Sequence, residues 1–442
     1  SHPERDLHRW AKTEEALSWM PITLKRPRTT KTQYSDYPYL DPTWMIRRHF
    51  ESGRLEELLL GPEGRSGLIK FWEHGRKSSE WVVKHPAFAY GFRNMDCTIP
   101  VRVHGDAAKF CKNGKLLVLS FQSAMVQGCA WDTRLLFSVI VTSLMHKNTL
   151  NQLLAGLTHA MNRLFETSRS WDIPYAFAFA GFKGDLEWFW ESLHLTQYYR
   201  CSLICHRCLA STDSRHGVDY DDVSDTAIWR QTIASNSDFL RMQDTSPLLA
   251  MEGFHVSLVL WDWMHNMYCG LGQQIVYSCM TILLDLGMYG TEGDADILLA
   301  RAHVELIRFF KERGVTQAVP EFRKQMMRAG IFDLKAMNTK HTLFFLASEL
   351  CLASHLDDAS DELKLAAECL WSLTHLIAIL DNASQVLRTT EERKATDHGG
   401  CFLDTYKRLV MLARQDSSDR WPAPPKFHYI MHQVLDLENM WN

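Results

Sequence analysis

The chain has 442 residues, 46% of them hydrophobic, which suffices for two or three domains with buried cores. Its formal charge of −4 excludes a strongly basic protein that coats nucleic acid, so any DNA contact has to use a local basic surface. Eleven Cys with no signal peptide favour reduced thiols in an intracellular protein, and no apolar stretch reads as long and charge-free enough to span a bilayer.

Residues 1–36 read as a flexible polar and basic segment (Lys25, Arg26, Arg28, Lys31), the pattern of a solvated tail. Residues 37–97 carry an aromatic set that includes Trp72, Trp81 and Phe92. A helical pattern from Pro42 to Leu60 is closed by Gly61-Pro62, and the whole predicts a small lead-in domain. From Ile99 short strands follow: 99–104, 115–121 and 134–143, rich in Val, Ile, Leu and Phe. Helical spacing of Leu150, Leu153, Leu154, Leu157, Met161 and Leu164 predicts a helix over 148–167, and 175–182 is a fourth strand. Strand, strand, strand, helix, strand over residues 98–208 is the ribonuclease H-like order.

Residues 209–255, rich in Asp, Ser and Thr, predict an irregular connection. Residues 256–420 predict an all-helical insertion, with helices over 256–287, 294–313, 320–329, 341–356, 360–389 and 401–414 punctuated by glycines such as Gly399-Gly400. Residues 421–442 return to the core through a stiff Pro-rich lead. The fold class expected is therefore α/β plus α: a ribonuclease H-like mixed sheet interrupted by a large helical insertion. The sequence begins without Met and stops at Asn442 inside what reads as an ordered motif, so a piece of a longer protein is expected.

Asp106 closes one strand-like run and Asp185 another. Carboxylates at adjacent strand ends can hold Mg²⁺ or Mn²⁺, which activate a water or 3′-hydroxyl for in-line attack on a phosphodiester. Gly105 and Gly184 before them fit a tight turn out of each strand, although a plain Gly-Asp strand-end turn has the same residues. Further on, Cys205 and Cys208 are separated by two residues, and His428 and His432 lie one helical turn apart. Two Cys and two His in two short-range pairs are what a tetrahedral Zn²⁺ site needs, and such a site would clamp the far end of the insertion onto the fold it interrupts. Taken separately, the Cys pair also suits a redox motif and the His pair an amphipathic helix face. Cys201 and His206 stand nearby as spare ligands. Asp262 and His265 predict a buried Asp–His hydrogen bond rather than a metal pair. No phosphate loop, nucleophile elbow or dinucleotide fingerprint occurs.

The series His104-Gly-Asp106, Lys183-Gly-Asp185, Cys205 with Cys208, Asp262 with His265, and Lys426-Phe-His428 with His432 resembles transposase cores. The similarity is to cut-and-paste DNA transposons of the CACTA and Kyakuja-Dileera-Zisupton groups and, more distantly, to the V(D)J recombinase core, from about residue 38 onward. The resemblance implies a nuclear protein that cleaves and joins DNA at transposon ends, with Asp106 and Asp185 as metal carboxylates and a homo-oligomer as a compatible assembly. In such enzymes a catalytic Glu follows the His pair on a helix. Glu438 stands too close to His432 for that role, so this chain is expected to lack the third carboxylate and to be inactive alone. A non-enzymatic, zinc-stabilised DNA- or protein-binding scaffold derived from a transposase is the alternative.

Overall fold

The computed structural model describes residues 17–438 apart from 27–30, 90–93, 112–113, 127, 129, 243–245 and 385. Residues 1–16 and Arg28 of the expected tail, and Phe92 of the aromatic set, lie outside the described residues. The chain divides into two units: one has residues up to Tyr198 with 206–208 and 233–260, the other 199–205, 209–232 and 261 onward.

In the first unit, residues expected to form a solvated tail instead begin the fold. β1 (Leu17–Lys25) pairs antiparallel with β2 (Thr32–Leu40), with Ile22 against Ser35 and Thr23 against Tyr34. The cause is alternation: Met20, Ile22 and Leu24 are buried while Pro21 and Lys25 stay out. Buried apolar area outweighs the flanking charge. Tyr37 anchors the hairpin by donating to the Val139 carbonyl at 2.7 Å. α1 (Pro42–Glu51) follows, N-capped by Asp41; it breaks at Ser52-Gly53, and a short helix at Leu55–Leu59 carries the expected helical pattern on to Leu60. α2 (Gly64–Ser78) buries Leu68 and Trp72.

The main sheet has the order β5-β4-β3-β6, built from β3 (Thr98–Cys111), β4 (Gly114–Ser123), β5 (Leu135–Val141) and β6 (Ala176–Lys183). β3, β4 and β5 are antiparallel neighbours, and β6 runs parallel to β3. A parallel pairing needs a crossover, and α3 (Thr149–Ser168) supplies it, burying Leu153, Leu154, Leu157, Met161 and Leu164 as its spacing predicts. The sheet is mixed and lies in an α-plus-β unit, as expected. One correction concerns β3, which runs to Cys111, so Asp106 sits inside the strand opposite Val118 rather than past its end. α4 (Leu186–Leu193) leaves β6 directly, N-capped by Asp185.

The second unit is helical over most of its length. A π-helical segment at Met264–Leu271 leads into α5 (Gly272–Asp285), followed by α6 (Ala295–Glu312). The helix expected to start at Val256 thus begins at Met264, and Val256–Leu258 is only a 3₁₀ turn. Where 320–329 predicted a helix, a 3₁₀ turn precedes a minimal hairpin of β7 (Met327–Arg328) and β8 (Ile331–Phe332). Ala329 and Gly330 both take positive φ there (47° and 76°), the two-residue turn that joins twisted strands. α7 (Ala336–Ala353), α8 (Asp361–Asn382), α9 (Thr389–Gln415) and α10 (Pro425–Glu438) complete the unit. Gly399-Gly400, expected to break a helix, lies within α9. A Cβ on Gly399 would come 2.9 Å from Val434 Cγ1, so this glycine lets α10 approach closely. The helices part earlier, α8 ending at Asn382 and α9 beginning at Thr389.

α8 is long and apolar enough by composition to cross a membrane, contrary to the sequence expectation. Half of that stretch is buried inside the structure, where α8 packs on α7 and α9 in the manner of a bundle's central helix.

Candidate metal centre

Cys205 and Cys208 lie on a tight loop whose base is closed by Ile204 N–H donating to the Ala210 carbonyl at 3.0 Å. His428 and His432 lie one turn apart on α10. The four side chains converge, with ligand atoms all within 4.8 Å of one another. Among the described residues this is the only group of three or more His, Cys, Asp or Glu side chains gathered tightly enough to hold a metal ion. Cys205 Sγ and His432 Nε2 are 3.4 Å apart. Tetrahedral bonds of about 2.0–2.3 Å place ligands about 3.3–3.8 Å from each other, so that spacing suits a zinc-like ion. Cys201 and His206, the spare ligands, do not join the set; His206 is buried with its ring edge toward Phe239.

Solvent is excluded from all four: Cys205, His428 and His432 are 0% exposed and Cys208 2%. Aromatic rings enclose them. Trp229 lies edge-on to His428 and tilted against His432, with centroids 4.9 and 4.8 Å away, and Trp261 stacks on Tyr429 and His432. The Tyr429 hydroxyl donates to the Ile204 carbonyl, tying α10 to the Cys loop. His428 Nδ1–H donates to the Tyr220 carbonyl at 2.9 Å, because a carbonyl can only accept. That bond fixes the tautomer and leaves Nε2 for the metal.

Tyr220 is held in turn. Its hydroxyl donates to the Ala423 carbonyl, and the adjacent Asp221, 1% exposed, accepts from Lys407 Nζ at 2.7 Å and Arg414 Nη2 at 2.5 Å. Burial works to raise the Asp221 carboxyl, yet the Lys407 bond, a hydrogen bond from Asp219 and the charges of Lys407 and Arg414 together outweigh it and its pKa falls below the ordinary value; neighbouring Asp219 is pushed up, chiefly by burial. None of these supporting residues stands out in the sequence. The one local hint is the Asp-rich composition of 209–255, which contains Asp221 and equally suits an irregular connection.

The Asp262–His265 pair forms the expected hydrogen bond, Asp262 Oδ2 to His265 Nδ1 at 2.7 Å, although it is half-buried rather than buried, and Asp262 Oδ1 also accepts the His265 backbone N–H. Burial pushes the Asp262 carboxyl up, but the His265 bond and charge outweigh it, and its pKa lies below the usual value. Lys426 supports the π-helical turn by donating to the His265 and Cys269 carbonyls at 2.9 and 3.2 Å.

Asp106 and Asp185 belong to a different setting. β3 and β6 are adjacent and parallel with His104 opposite Lys183, so each Asp lies two residues beyond a paired position. Asp106 is exposed on β3, while Asp185 is half-buried and its Oδ1 accepts the Trp188 N–H at 2.7 Å. Burial, then Glu187, then Asp185 push the Glu191 carboxyl up, so the first turns of α4 form a negative patch. The glycines before each Asp do not serve a tight turn, as the sequence suggested. Both lie under the Trp188 indole, where a Cβ on Gly105 would fall 2.0 Å from Cε2 and one on Gly184 2.6 Å from Cε3.

No family model matches the chain, and no curated protein matches it.

Proposed function

We propose that the chain is a transposase-type protein: a ribonuclease H-like core in which Asp106 and Asp185 take Mg²⁺ or Mn²⁺ for DNA strand cleavage and joining. Cys205, Cys208, His428 and His432 would hold a structural Zn²⁺. The observation that supports this reading is the β3–β6 register: the two strands are parallel neighbours paired as far as His104 and Lys183, and Asp106 on β3 and Asp185 at the start of α4 each follow by two residues. The closed, solvent-free character of the Cys–His set supports a structural rather than catalytic role for the second metal, since catalytic zinc keeps an open position.

A direct test replaces Mg²⁺ with Fe²⁺ and uses ascorbate and peroxide to cut the backbone beside the bound ion. Cuts are expected near residues 104–108 and 183–187, suppressed by excess Mg²⁺ and lost in Asp106→Asn with Asp185→Asn. Cuts elsewhere only, or cuts indifferent to both substitutions, remove the nuclease reading. The competing scaffold reading draws on one observation: the Asp185 carboxylate already serves as a helix cap. Electrophoretic shift of DNA by the zinc-loaded chain, with no site-directed Fe²⁺ cleavage, would select it.

A further inference from the structure

The sheet face that bears Asp106 carries a second group of side chains that metal chemistry does not use. Side chains alternate along a strand, so Arg102, His104 and Asp106 share one face of β3 while Val101 and Val103 fill the core. On β4, Gln122 lies opposite Arg102 and Ser120 opposite His104. Arg134, the residue before β5, donates from Nε to Gln122 Oε1 at 3.2 Å and places Nη1 3.2 Å from His104 Nδ1. The two arginines therefore flank one glutamine on one face.

Both are half-buried. Among the described residues neither forms an ion pair with a carboxylate, and Arg102 Nε is buried without a hydrogen-bond partner. Burial lowers the Arg102 guanidinium pKa, with no acidic neighbour to raise it. Desolvated charge is costly unless paired, and the buried Asp221 shows the usual remedy in its two cationic partners. A fold that keeps the Arg102 guanidinium without an acidic partner, and sets the Arg134 guanidinium on the Gln122 amide opposite it, presents planar, charge-assisted donors matched to an oxyanion.

We propose that Arg102 and Arg134, with Gln122 between them, form a phosphate-binding subsite that takes a phosphodiester group of a nucleic-acid strand. Arg102 and Asp106 are four residues apart on one strand, about 13 Å. The phosphate held is thus a different one from that at Asp106, further along the same nucleic-acid strand. Placement on DNA rests on the transposase-type reading; the phosphate chemistry does not.

The test uses the full zinc-loaded chain with two probes: a fluorescein-labelled DNA duplex followed by anisotropy across a salt series, and inorganic phosphate followed by thermal melting. Arg102→Gln and Arg134→Gln should each weaken DNA binding about tenfold, and each should reduce the log–log salt slope by about 0.9. Phosphate should raise the melting temperature of the wild type but not of the double variant. Arg102→Met should raise the melting temperature in phosphate-free buffer, because it removes an unpaired desolvated charge; a fall there would mark a structural arginine and overturn the proposal. Stabilisation by phosphate through both arginines, without DNA binding, would keep the subsite and remove the DNA reading. DNA binding unchanged in folded variants would remove the subsite and keep that reading. Arginine-dependent capture of a polyglutamate peptide in preference to phosphate would also overturn the subsite.

Discussion

The Cys–His cluster and the carboxylate pair are both two-part motifs drawn from distant sequence, yet they are built in opposite ways. Every ligand of the cluster is sealed from solvent, and at least one is oriented by a second layer of hydrogen bonds. The carboxylate pair has one exposed member, and the other is shared with a helix cap. Burial separates the two roles physically. A closed site converts metal-binding energy into folding energy, whereas an exposed carboxylate stays open to whatever arrives from solvent.

That contrast fixes the order of effects. The largest belongs to the metal. Removing zinc leaves two thiols and two imidazoles buried without the ion that pays for their desolvation, so Cys208→Ser or chelation should abolish stoichiometric zinc and lower the melting temperature by about 10 °C or more. Elemental analysis with calorimetry on the reduced protein measures both. Purified protein that carries no zinc yet melts unchanged would erase the distinction between the two sites.

Next in size is the clasp around Tyr220. Asp221→Asn weakens the attraction to two cations at a buried position, at a cost of up to about 3–5 kcal/mol. Loosening of the Tyr220 carbonyl should also cut zinc affinity about 10- to 100-fold, as read by competition with a chromophoric chelator. Lost stability with unchanged zinc affinity would show that the clasp serves packing alone.

How much of this was legible in the sequence follows from the range of each interaction. The strand order over 98–182, α3 and the four residues of the Cys–His cluster could be read because residue type and local spacing carry them. The glycines are visible in the sequence but their reason is not: Gly105, Gly184 and Gly399 are required by the side chains packed over them, Trp188 and Val434, and for Gly105 and Gly399 that partner lies far along the chain. The hairpin at 17–40 was masked by charge although its alternation was in plain view. Asp221, Lys407 and Arg414 meet across nearly two hundred residues, so nothing in the chain order announces them.

The smallest effects test the open site. Asp106→Asn at an exposed strand position should change stability by no more than about 0.5 kcal/mol. Asp185→Asn keeps a capping side chain, and Asp185→Ala should cost about 1 kcal/mol by losing it. Charge gives the finer readout. Glu191 has a pKa raised above its unfolded value, so its contribution to stability is fully present at low pH and declines as pH rises through the folded pKa. Asp185 is one of the like charges responsible, after burial and Glu187, so Asp185→Asn should move the Glu191 pKa back toward the ordinary carboxylate value and shrink that decline. Carboxyl-carbon NMR titration of the two proteins follows this one group. A Glu191 titration identical in both would mean that Asp185 does not share the field at the start of α4, and the open acidic site would reduce to a capped helix beside an isolated Asp106.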